Sequence, residues 1–113
     1  YQTDDPAVAE HHRIMNQYGG PAPGTFTTIG QILAELMVDI LSRSCDNLTR
    51  EGVMKAATSV DKWRSELMVE GAYITMTETD RRAIEMGPME RVVVENGKPR
   101  WEYFGPLWDF HEE

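Results

Sequence analysis

Hydroxyls, carboxylates and guanidiniums crowd the stretch Thr77-Glu78-Thr79-Asp80-Arg81-Arg82, and Glu85 follows closely. Glu78, Asp80 and Glu85 supply enough carboxylates for general acid and base work, provided that a concave, partly dry site separates their pKa values. Arg81 and Arg82 stand beside them, so ordinary surface pairing is the simpler expectation. His11-His12 is the one adjacent histidine pair. Successive helical residues point about 100° apart, so the two imidazoles do not converge on one metal, and no HExxH spacing rescues them. A satisfied or exposed pair is expected, or else a half-site completed by another chain. His111 lies in the acidic tail "DFHEE", where it reaches a metal only by chance or through assembly. Ser42, Ser44, Ser59 and Ser65 have no local histidine and no GxSxG turn. Gly19-Gly20 and Gly24 sit in proline-rich sequence without a Lys-Ser or Lys-Thr partner, so no phosphate loop is present. The expectation is a protein that is not an enzyme and needs no cofactor or metal.

Cys45 is the single cysteine among 113 residues, which excludes an intrachain disulfide and a cysteine-rich metal site. Its place at the end of an apolar helical pattern predicts a buried or half-buried filler. The net charge of -8 argues against nucleic acid or an anionic membrane as main partner, since both repel an acidic surface. No uninterrupted run of 18 apolar residues occurs. The opening "YQTDDP" has neither an initiator Met nor a basic-then-apolar leader, the pattern expected of a processed or excised segment.

Three helices and a hairpin must position these groups. Asp5-Pro6 predicts a helix start, with Val8, His11 or His12, Met15 and Tyr18 on one face and Gly19-Gly20 as the stop. Thr28 and Gln31 predict a capping box for a second helix carrying Ile29, Ile32, Leu33, Leu36, Met37, Ile40 and Leu41. That stripe demands a large partner surface. Thr49 caps a third helix with Val53, Ala56, Ala57 and Val60. Strands are predicted over 72–77 and 90–95, with Asn96-Gly97 as a tight turn and Arg100 to Phe104 as an edge strand after Pro99. Taken alone, the chain reads as α+β, three helices followed by a C-terminal β-hairpin. Trp101, Tyr103, Phe104, Trp108 and Phe110 are too many aromatics for one edge strand to bury, which predicts an interface or a missing neighbour.

The order of these pieces resembles the C-terminal portion of a type 1 periplasmic solute-binding protein, the branched-chain amino acid binding branch of ATP-driven importers. A helix and "YG" precede a variable loop in "AVAEHHRIMNQYGGPAP". A long Leu- and Ala-rich helix follows in "TTIGQILAELMVDIL", then a short one introduced by "LTREGVMKAA". The end, "GAYITMTETDRRAIEMGPMERVVVENGK", has the Gly-led strand, the connector and the hairpin, with Arg81 where the family often has His. The resemblance runs from Tyr1 to about Gly105. It implies an α/β parent fold of two doubly wound lobes, roughly three times this length, closing on a ligand between them. In that frame residues 1–85 are the helical part of the first lobe and residues 86–113 the hairpin and tail of the second. The charged connector then approaches a hinge. The implied function is capture of a small amino acid or related organic solute in the periplasm, or on another extracytoplasmic surface, for a membrane permease. The alternatives are a ligand-sensing regulatory domain of the same fold and a small structural or interaction module. Self-association, or association with a missing N-terminal portion, is expected. The one ligand contact that the family places in this region is an aromatic ahead of the long helix; that slot falls at Gly24, with Phe26 two positions on. Phe26 reads equally as a hydrophobic anchor beside a helix start.

Overall fold

The computed structural model describes residues 4–111. Its elements are α1 (Pro6–Tyr18), α2 (Thr25–Arg43), α3 (Arg50–Ala57), β1 (Val60–Trp63), β2 (Ile74–Met76), β3 (Met86–Glu95) and β4 (Lys98–Asp109). β1 pairs antiparallel with β2, and β3 with β4, as two separate two-stranded sheets. This is a small α+β arrangement. A doubly wound lobe needs a parallel central sheet, and the described residues build none.

Local chemistry accounts for the helix ends. The Asp5 carboxylate accepts the Ala7 N–H at 2.8 Å with Pro6 opening α1, and Gly19 closes it at φ 73°, a left-handed conformation suited to glycine. α2 starts at Thr25, three residues before the predicted Thr28 cap. Gly24 takes the capping position instead, and the Thr27 hydroxyl accepts its N–H at 2.8 Å. Thr49 caps α3 through the Gly52 N–H at 3.1 Å. The predicted helical stripe through Val60 is wrong in its last member: α3 ends at Ala57, and Val60 turns back into the core as the first residue of β1. Lys62, at φ 48°, bulges β1 before Trp63 pairs with Ile74.

The buried core consists of Ile32, Leu36 and Ile40 from α2 with Ala56, Val60, Met68, Ala72 and Ile74. A polar chain braces it. His11 is 1% exposed, and its Nδ1–H donates to Gln31 Oε1 at 2.7 Å while Nε2 is hydrogen-bonded to the Thr27 hydroxyl at 2.9 Å. Gln31 donates onward to Glu35 at 2.9 Å, and Ser65 donates to the other Glu35 oxygen at 2.5 Å. The chain ties α1 through α2 to the segment between β1 and β2, so the histidine is a satisfied structural group as expected. Tyr18, predicted on the same face, is exposed. So is Cys45, against expectation: the chain leaves α2 at Ser44, which buries its own hydroxyl against the Ile40 carbonyl at 3.0 Å and turns the next side chain outward.

β3 and β4 meet in register across Asn96-Gly97, whose φ values of 52° and 75° give the tight turn. One face carries Val92 opposite Trp101 and Val94 opposite Pro99, with Glu90 opposite Tyr103. The other carries the ion pairs Arg91–Glu102 and Arg100–Glu95. Val92, Val94, Trp101, Tyr103, Phe104, Trp108 and Phe110 are all exposed, as are Ile29, Leu33, Met37 and Leu41 of the α2 stripe. The radius of gyration is 16.9 Å, against about 13 Å for a compact chain of this length. The accessible surface is 8570 Å², against about 6300 Å² for a compact globule of this mass. Among the described residues α2 alone is long and apolar enough, by length and composition, to cross a bilayer, with a mean hydropathy of 1.2. Ile32, Leu36 and Ile40 nevertheless give it an in-chain partner.

Candidate functional site

A cavity of about 620 Å³ opens where β1, β2, the charged connector and the end of β4 meet. Asp61 and Lys62 come from β1, Thr75 from β2, Tyr73, Thr77, Thr79, Asp80, Arg82 and Glu85 from the segments around it, and His111 from beyond β4. Topology brings together groups that are far apart in sequence. The Tyr73 hydroxyl donates to Asp109 Oδ2 at 3.0 Å, and the Tyr73 ring stacks on His111 at 5.1 Å between centroids. The backbone N–H of Phe110 donates to the Glu85 carbonyl at 2.8 Å, which fixes His111 above the connector.

The connector is a built turn. Asp80 N–H donates to the Thr77 hydroxyl at 2.9 Å, Thr77 N–H donates to the Asp80 carbonyl at 2.7 Å, and Arg82 grips both Asp80 carboxylate oxygens at 3.1 and 2.7 Å. Arg82 also reaches Glu85 Oε1 at 2.9 Å. Of the three carboxylates weighed for acid–base work, Asp80 and Glu85 share this cavity and pair with Arg82, whereas Glu78 is exposed outside its lining. Lys62 holds its ammonium 5.7 Å from the Tyr73 ring centre.

Charge follows these contacts. The Arg82 side chain and then its backbone N–H hold Asp80 at a pKa of about 2. The backbone and side chain of His111 lower Asp109, and accepting from Tyr73 in turn raises the phenol. Asp80 has a folded pKa below its unfolded value, so its contribution is present above about pH 4 and fades as pH falls toward 2. We expect the Asp80 carboxyl carbon to titrate near pH 2 by NMR, with the Arg82 side-chain N–H losing protection in step. Titration near the ordinary aspartate value would show that the bidentate grip is not held in solution.

Gly24 and Phe26 lie elsewhere. Gly24 caps α2, and Phe26, on its first turn, is 89% exposed. Neither lines the cavity. A second, apolar groove of about 740 Å³ runs between α1 and α2 past Ile14, Met15, Gly30, Ala34 and Val38, and neither residue lines that one. Among the described residues no set of three metal-ligating side chains converges. His111 was the residue that the sequence hid: Asp109 holds it locally, two positions back, but Tyr73 and Glu85 are distant in sequence, and the acidic tail reads as solvent-exposed. Compared with models of protein families, with curated proteins and with solved structures, the chain matches none.

Proposed function

We propose that this chain is the C-terminal part of a solute-binding protein that captures a small amino acid or related organic solute for the permease of an ATP-driven importer. One observation carries the reading: the chain exposes roughly 2300 Å² more surface than a compact globule of its mass. The surplus is rich in apolar side chains, on one half of α2 and one face of the hairpin. An excess of that size lies within the range of permanent interfaces. α2 buries Ile32, Leu36 and Ile40 locally and leaves Ile29, Leu33, Met37 and Leu41 for a second layer. A helix used on both flanks suits the outer layer of an α/β lobe, whose sheet would come from the rest of the protein. The order of sequence pieces supplies the rest of the argument, and Gly24 with Phe26 then sit beside the interlobe cleft.

Calorimetry tests this. Joined to its upstream coding sequence, the protein is expected to bind a branched-chain or similar amino acid one-to-one, while the 113-residue chain alone binds it far more weakly. Equal affinity in the isolated chain would place the site within these residues and remove the two-lobe reading.

A further inference from the structure

His111 and Glu85 present an unfilled pair of acceptors. His111 Nδ1 lies 2.6 Å from Asp109 Oδ1, and a carboxylate only accepts, so Nδ1 carries the proton. In the neutral ring Nε2 is then the lone-pair nitrogen. It is shielded from solvent and has no hydrogen-bond partner. The nearest charged atom is Glu85 Oε2 at 4.0 Å, on a side chain 8% exposed whose other oxygen is held by Arg82. Four ångströms is too long for a direct hydrogen bond between them. A tetrahedral zinc would hold its nitrogen and oxygen ligands about 3.4 Å apart, so the spacing does not suit that ion either. A donor placed about 2.8 Å from both acceptors makes an angle of about 90° between them, which two N–H groups of one ammonium, about 109° apart, reach with each hydrogen bond bent by about 10°.

We propose that this cavity binds a small polar primary amine, its ammonium donating to His111 Nε2 and Glu85 Oε2 together. The surroundings favour such a ligand. Asp61, Asp80 and Glu85 outnumber Lys62 and Arg82 in the lining, which makes the cavity net acidic. Lys62 places its own ammonium over Tyr73, and Asp109 with Tyr73 fixes the imidazole plane and tautomer. Thr75, Thr77 and Thr79 line the remaining space with hydroxyls, which suits a polar body on the amine. The site is local to these residues and does not depend on the two-lobe reading.

The test is a titration of the 113-residue chain with methylammonium chloride at neutral pH and constant ionic strength, read on the His111 ring nitrogens and the Tyr73 ring protons by NMR. A saturable change at Nε2 is expected. Tetramethylammonium, with the same charge and no N–H, is expected to leave both signals unmoved. His111→Phe keeps the stack on Tyr73 but removes the acceptor, and should weaken binding about tenfold to a hundredfold, read on Tyr73. The proposal is overturned by a ring already protonated on both nitrogens without amine, by an Nε2 signal unchanged throughout because water holds the bridge, or by equal responses to the two ions. The comparison of ions on the unmodified chain decides the matter even if the variant fails to fold.

Discussion

Replacing Ile74 by alanine is expected to lower stability by about 2–5 kcal/mol, toward the upper end of that range. Ile74 is 0% exposed and joins β2 to the α2 stripe of Ile32, Leu36 and Ile40. Among the described residues its neighbours belong to a core of eight buried apolar residues, of which Ala56 and Ala72 are too small to fill a void. A core so thin has little scope to collapse around the lost methyl and methylene groups, and the cavity term stays large. Urea unfolding followed by helical circular dichroism measures the change. With a slope of about 1–2 kcal/mol/M for a small protein, the midpoint should fall by roughly 2 M or more. Ile74→Val should cost only about 0.5–1.5 kcal/mol, and Val94→Ala, at an exposed hairpin position, within about 0.5 kcal/mol. Equal losses at Ile74 and Val94 would mean that the apolar surface left open in the monomer is buried in solution as deeply as the core.

The second large effect concerns that open surface. The chain is expected to self-associate at low micromolar concentration, and Leu33→Glu with Met37→Glu to shift it toward monomer while leaving its helical content intact. Both side chains lie on the exposed half of α2. Burying a large apolar side chain contributes about 1.5–3 kcal/mol, so a few of them outweigh the repulsion between copies of net charge -8. That repulsion is screened beyond about 8 Å at physiological salt. Sedimentation equilibrium reads the outcome. A stable monomer with dispersed amide signals before any substitution would show that the open half of α2 is tolerated in water, and would favour an independent module over a part of a lobe.

What could be read from residue order was whatever depends on a few neighbours. Asp5-Pro6, Thr49 and Asn96-Gly97 act over one turn of chain, and the structure uses each as its chemistry dictates. α2 was legible in its stripe but not at its start, because a glycine cap offers only backbone and the decisive Thr27 hydroxyl works backward from inside the helix. β1 was hidden because Val60 falls on the helical period of α3 and Asp61-Lys62 carries no strand alternation. Which half of the α2 stripe is covered was not legible at all, since periodicity marks an apolar arc without saying what meets it. The cavity was least legible. Asp80 and Glu85 were visible as carboxylates, but Tyr73 meets Asp109 across 36 positions, and that approach depends on where the whole hairpin comes to rest.

The two-sided hairpin has a consequence in time. Every pairing between β3 and β4 is closed by one two-residue turn, and such ribbons zip within about 1–10 μs, long before a chain of this size finishes folding. The bond that docks it to the body, Tyr73 to Asp109, spans 36 positions and closes later. A lone ribbon is marginal in water, so it opens and recloses until Tyr73 captures it. During that interval Met86 and Leu107, which pack against the core once the ribbon is docked, face solvent on a ribbon whose edges are unpaired, and any second chain nearby is a competitor for them. Newly made copies are therefore in a race between docking and mutual encounter, and crowding of nascent chains, more than final stability, decides how many finish correctly.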